Sequence, residues 1–139
     1  LGADILINYR DEDFAEVMKN KADVILDIMG AKYLDKNVRA LAMDGHVVII
    51  GMQGGVKGEL NIARLLTKRG TISATALRAR KLDDKARIVS ETVENVWPML
   101  ADGRITHRIH TTIPLTDAAR AHELLGSGAV TGKVILEVA

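Results

Sequence analysis

The chain of 139 residues contains no cysteine, which removes disulfides, thiolate catalysis and every zinc site that needs a Cys ligand, and fits a reducing compartment such as the cytoplasm. Aromatic residues are scarce: Tyr9, Phe14, Tyr33 and Trp97 are too few to interleave with basic residues as a stacking platform for single-stranded nucleic acid. Excess charge of one sign is also missing. Nineteen basic against eighteen acidic residues leave a net charge of +1, too small to hold a polyanion by counterion release. The charge-free stretch from His46 to Val56 is too short and too glycine-rich to cross a bilayer, and no secretory leader pattern opens the chain. What remains is 47% hydrophobic and 27% charged residues, the composition of an ordinary globular protein with an aliphatic core. The length suits one compact unit with a modest core, not a nucleotide fold and a substrate domain side by side.

Hydrophobic periodicity supplies the elements. Ile5 to Tyr9 is a short apolar run of strand length. Phe14, Val17 and Met18 recur at helical spacing over Asp13 to Asn20, with acidic residues at the start where the helix dipole favours them. A second strand spans Ala22 to Met29, and a second helix, striped by Leu34, Val38 and Leu41, closes at Asp44-Gly45. Four consecutive β-branched residues, Val47 to Ile50, mark the central strand, of the kind covered on both faces. Asn61 is placed to cap a helix striped by Ile62, Leu65 and Leu66 and ended by Gly70. Thr71 to Leu77 reads as a further strand. From Lys81 the pattern changes to a long helix carrying Val89, Val93, Val96 and Leu100, with Pro98 expected to kink it. Alternating strands at Ile109 to Ile113 and Val134 to Val138 follow, with a helix capped by Thr116 between them.

Strands alternating with helices over residues 1–77 imply right-handed crossovers and a parallel sheet. A doubly wound dinucleotide fold, order 3-2-1-4-5-6, carries a Gly-x-Gly-x-x-Gly turn after its first strand. No such turn occurs in this sequence. The pattern therefore fits either another α/β fold or a doubly wound (Rossmann) sheet entered at its third strand.

Leu1 to Phe14, Val24 to Gly30, the loop Gly51-Met52-Gln53-Gly54-Gly55, Lys68 to Thr71 with Leu77 to Arg80, and Gly132 to Leu136 stand in one order. In that order they resemble the zinc-independent medium-chain dehydrogenase/reductase family, in particular the quinone oxidoreductases related to zeta-crystallin. The resemblance covers essentially the whole chain. It implies a partial doubly wound sheet from strand 3 onward, with residues 1–78 in the dinucleotide domain and 79–139 returning to a GroES-like substrate domain. It implies NADPH as cofactor and metal-free hydride transfer to a quinone or activated alkene, from a whole enzyme of which this chain is the C-terminal portion, inactive by itself. By the same comparison Tyr9 matches the residue at the 2′-phosphate, and Ile28 the strand end beside the cofactor. Gly51, Met52 and Gln53 match the loop on the nicotinamide side, Ala76, Leu77 and Arg78 the segment lining the nicotinamide pocket, and Lys133 a basic residue near the cofactor. A homodimer through the strand Thr71 to Leu77 is implied as well.

The residues themselves add that Tyr9, Ile28, Gly51 and Leu77 fall at carboxyl ends of strands, where open α/β sheets bind ligands. Glycine at 51 would let backbone approach a ligand closely. Gly128 to Val134 is one residue short of a Walker loop and leads into a strand. His122-Glu123 lacks the second zincin histidine, and no serine sits in a nucleophile elbow. No general acid or base is assigned. Reduction of enoyl thioesters, or a non-catalytic dimerisation or RNA-binding role using the basic residues around Arg64 and Arg78, are the alternatives.

Overall fold

The computed structural model describes residues 2–138. It divides into two compact units, Leu1–Arg80 and Lys81–Ala139, where the length had suggested one.

In the first unit, Asp13 starts α1 (Phe14–Val17) by accepting the Ala15 N–H at 3.1 Å. That bond, and Lys36 at 3.2 Å, hold the Asp13 carboxyl below its usual value. β1 (Ala22–Asp27) passes through a 3-10 turn at Gly30–Tyr33 into α2 (Leu34–Ala40), β2 (Leu41–Ile49), α3 (Ile62–Thr67) and β3 (Thr71–Ala74). The three strands are parallel in the order β1-β2-β3, so Val47 to Ile49 of the β-branched run lie on the central strand and Ile50 just beyond it. Asn61 caps α3 as its side chain suggests, accepting the Arg64 N–H at 2.9 Å.

Register sorts the sheet into two faces. Val47 is fully buried with Val38, Ala40 and Leu41, which is the core of this unit. Val24 and Leu26 pair with His46 and Val48 and remain 70% and 67% exposed. The expectation that both faces are covered therefore fails within this unit: residues of the other parity have no helix over them.

Three further expectations are corrected. Ile5 to Tyr9 forms no strand, because a strand exists only through a ladder partner; the Asn8 carbonyl instead accepts the Asp11 and Glu12 N–H groups at 3.0 and 2.9 Å, making a turn. The second helix ends at Ala40, not Asp44-Gly45. The carbonyls at its end are met in part from far along the chain: the Lys68 ammonium, 8% exposed, just past α3, donates to the carbonyls of Val38 and Arg39 at 2.8 Å each and of Leu41 at 2.5 Å, while the Asn20 and Lys21 N–H groups donate to Arg39 and Ala40. Asp44 then turns the chain with φ +60° inside β2, bound by Arg69 through two 2.7 Å bonds. Finally, the last strand stops at Ala74 instead of Leu77.

In the second unit, α4 (Leu82–Ala101) carries Asp83 and Asp84 in its first turn, runs on through Pro98 and buries no residue. β4 (Ile109–Pro114) and β5 (Lys133–Glu137) pair in parallel, with α5 (Ala118–Gly126) as the crossover. Ile113 and Ala121 form its small core. Thr116 makes no cap; it lies in a 3-10 turn, and α5 starts after Asp117 with no side-chain bond. Gly132, at φ +97°, enters β5 where a Cβ would stand 2.2 Å from the Arg108 carbonyl oxygen, a position only glycine fits. Among the described residues no helix is long and apolar enough to cross a membrane.

Candidate functional site

The carboxyl ends of β1, β2 and β3 are locked to one another by backbone bonds. The Ile50 N–H donates to the Asp27 carbonyl at 2.8 Å and the Thr75 N–H to Ile49 at 3.1 Å. Asp27 is almost wholly buried, and its carboxylate accepts the N–H groups of Met29 and Gly30 at 2.8 and 2.9 Å. This Asx turn fixes the direction in which Ile28 leaves the strand. The loop after β2 lies on that turn: Gln53 N–H donates to Ile28 at 3.1 Å, Gly54 N–H to Met29 at 2.7 Å, and Ala31 N–H to Gly55 at 3.1 Å. At Gly51 a Cβ would come 2.7 Å from the Ile28 carbonyl oxygen. The glycine at 51 thus permits the close approach of the neighbouring loop, and it also lines one of the depressions at the strand ends.

Two depressions open at these strand ends. The larger, about 660 Å³, is lined by Tyr9, Phe14, Ile25, Asp27, Ile28, Lys32, Tyr33, Asn37 and Gln53, among others. Its aromatic side is a tilted pair, Phe14 and Tyr33, with ring centroids 5.0 Å apart. Asn37 is 2% exposed, and among the described residues its amide nitrogen has no hydrogen-bond partner. A buried amide donor left unmet costs free energy, and this one lies in the wall of a cavity large enough for a ring system. The smaller depression, about 350 Å³, is lined by Ile49, Ile50, Gly51, Met52, Ala74, Thr75 and Ala76.

The structure thus brings Tyr9, Ile28 and Gln53 onto one cavity and Gly51, Met52 and Ala76 onto the other. Leu77 and Arg78 follow in an exposed turn closed by the Arg80 N–H on the Leu77 carbonyl at 3.2 Å. Lys133 is in the second unit, the first residue of β5. Sequence reasoning did not nominate Asn37, Lys32, Tyr33 or Asp27. The available signal was a polar residue on the apolar stripe Leu34, Val38 and Leu41, and an aspartate three residues before a glycine at a strand end.

Parallel strands with helical crossovers and ligand-sized depressions beyond their carboxyl ends define an α/β domain of the dinucleotide-binding kind. The comparisons agree with that class. Residues 1–136 match the family model described as zinc-binding dehydrogenase, and the chain belongs to that family. It is 28% identical over 142 residues to quinone oxidoreductase 1 of Escherichia coli, covering 97% of this chain and 43% of that protein. To a 2-haloacrylate reductase of a Burkholderia species it is 26% identical over 141 residues, covering 98% and 42%. Among solved structures, Escherichia coli quinone oxidoreductase complexed with NADPH superposes with a TM-score of 0.74 at 27% identity, over 93% of this chain and 42% of that one. The chain therefore spans well under half the length of the curated relatives it matches.

Zinc itself finds no fit. The chain has no cysteine, and among the described residues no group of three or more His, Asp or Glu side chains is placed to hold a metal ion. A dinucleotide fits better: the larger cavity has apolar and aromatic walls, and the buried, unmet amide of Asn37 belongs to a residue that lines it.

Proposed function

We propose that this chain works as the C-terminal part of an NADPH-dependent reductase of quinones or activated alkenes. The observation that carries the reading is the convergence of Tyr9, Ile28 and Gln53 on a cavity whose buried Asn37 amide lacks a partner. The similarity to a quinone oxidoreductase solved with NADPH and to a 2-haloacrylate reductase supports it. NADPH, when bound, supplies the hydride, and the protein's part is placement and exclusion of water. Tyr9, exposed in its Asn8-anchored turn, presents a phenol to the 2′-phosphate. Ile28 lies at the strand end beside the cofactor, and Gln53, which lines the larger cavity, belongs to the loop on the nicotinamide side. Met52, Ala76, Leu77 and Arg78, with the Gly51 backbone, bound the nicotinamide half, and Lys133 adds positive charge near the cofactor.

Residues 1–78 belong, in this reading, to the dinucleotide domain and 79–139 to a GroES-like substrate domain. The active form is a cytoplasmic homodimer, of the zeta-crystallin branch, joined through the segment Thr71 to Leu77. Support for the dimer comes from β3, an edge strand with one ladder open and thus a surface that invites a partner strand.

The test is NADPH oxidation by the full-length protein with a naphthoquinone, with crotonyl thioester as the competing acceptor. Quinone-dependent turnover is expected; thioester turnover alone would move the assignment to enoyl reduction, and none with either would refute it. Tyr9→Ala is expected to weaken NADPH about tenfold more than NADH, as loss of one charge-assisted hydrogen bond predicts. Equal losses for both would remove Tyr9 from the phosphate.

A further inference from the structure

The sulfur atoms of the chain are all methionine, five of them with no cysteine. Met18, Met29 and Met99 are half-buried, whereas Met52 and Met43 stand 65% and 54% exposed. Of these two, Met52 lines the smaller depression, beside Ile49, Ile50, Ala74 and Ala76, while Met43, on β2, does not. Backbone contacts hold the loop of Met52 in place. The Gln53 N–H donates to the Ile28 carbonyl and the Gly55 N–H to the Met52 carbonyl, each at 3.1 Å, and a Cβ at Gly30 would stand 3.2 Å from the Met52 Cα. A solvent-accessible thioether is open to oxidation, and its sulfoxide turns a flexible apolar side chain into a polar one. Among aliphatic neighbours, a sulfoxide oxygen loses its water when a ligand covers it, a cost the thioether does not carry.

We propose that Met52 is a modification site for hydrogen peroxide, and that its sulfoxide closes the smaller depression to the nicotinamide half of the cofactor. The proposal rests on the reductase reading and adds a regulation of that same site. In the reaction a sulfur lone pair attacks one peroxide oxygen, an S–O bond forms as the O–O bond breaks, and the proton of the attacked hydroxyl passes to the departing oxygen, which leaves as water. Sulfur gives up two electrons and the peroxide takes them. Bound cofactor covers the thioether, so the cofactor-free protein is the form that is switched off. Reduction of the sulfoxide by methionine sulfoxide reductases restores the apolar side chain.

The experiment treats the full-length protein with hydrogen peroxide, follows sulfoxide at Met52 and Met43 by peptide mass spectrometry, and measures the Kd for NADP+. Bound NADP+ is expected to slow oxidation of Met52 about tenfold and to leave that of Met43 unchanged. Sulfoxide at Met52 is expected to raise the NADP+ Kd about tenfold, with recovery after treatment with methionine sulfoxide reductases. Met52→Gln, polar at similar length, should bind NADP+ more weakly without peroxide, and Met52→Leu should keep its own untreated Kd after peroxide. Met43→Leu should respond as the parent protein does. Complete sulfoxide at Met52 with an unchanged Kd would overturn the proposal. So would oxidation of Met52 at one rate with and without NADP+, or an equal effect of peroxide on Met52→Leu, which would give the effect to another residue. Failure of the reductase reading shows separately, as absence of naphthoquinone turnover by the untreated protein, while the sulfoxide yields and the NADP+ titration need no acceptor and still decide the role of Met52.

Discussion

Lys68 stabilises the first unit as a hydrogen-bond donor to backbone carbonyls, with no carboxylate partner among its hydrogen bonds. Its ammonium donates to the carbonyls of Val38, Arg39 and Leu41 at the C-terminal end of α2, where helix carbonyls lack partners within the helix; the Arg39 carbonyl also accepts the Asn20 N–H. Lys68→Met keeps the aliphatic stem and removes the cation. Each hydrogen bond from a charged donor contributes about 1.5–3 kcal/mol, and removing an ammonium from water costs several kcal/mol, so the net loss is about 3 kcal/mol. For a unit of this size that lowers Tm by about 12–24 °C. Thermal unfolding followed by circular dichroism measures it, with Lys57→Met, on the exposed loop, as a control expected to stay within about 0.5 kcal/mol. Burial, with the like charges of Arg64 and Lys19, pushes the Lys68 pKa below its ordinary value of 10.5. Between that lowered folded value and 10.5 the unfolded chain holds more protons, so this group's share of stability rises with pH across the window. Lys68→Met lacks that rise. A variant that melts with the parent protein would refute the reasoning, because the α2 carbonyls would then be satisfied without the lysine.

Other outcomes follow from the same contacts. Asn37→Leu removes an amide whose nitrogen is buried and unmet, so the ligand-free protein gains about 1 kcal/mol in denaturant titration while NADPH binds more weakly; a stability loss would contradict this. Asp44 has its pKa lowered from 3.8 by its hydrogen bonds to Arg69. Its contribution is complete above pH 3.8 and is lost as pH falls through the lower folded value. Asp44→Asn should therefore flatten the acid limb of the stability curve, and an unaltered limb would show that the exposed pair is idle.

How much of this was legible in the sequence depends on where each signal originates. The central strand was readable because consecutive β-branched residues favour a strand, although the cover on both faces that the run also suggested is missing in this unit, and Asn61 because a cap acts within three residues. Ile5 to Tyr9 misled because its apolar run has strand chemistry but no neighbour to complete the ladder. The end of α2 was misplaced because the group that meets its carbonyls, Lys68, lies 27 residues beyond Leu41. Ile28 and Gly51 could be set just beyond strand ends from topology, whereas Tyr9 lies in a turn and Leu77 three residues past β3, so for these two the topology argument did not apply. The cavity wall could not: Asn37 looks like an ordinary polar interruption until the fold shows it buried and unmet.

The central claim is that a nicotinamide dinucleotide lies across the carboxyl ends of β1, β2 and β3. A crystal structure of the full-length protein with NADPH tests it most directly. The account predicts the 2′-phosphate within hydrogen-bond reach of Tyr9, a ring in the cavity of Asn37, and the nicotinamide against Gly51, Met52 and Ala76. NADPH bound away from these strand ends, with both depressions filled only by solvent, would contradict it.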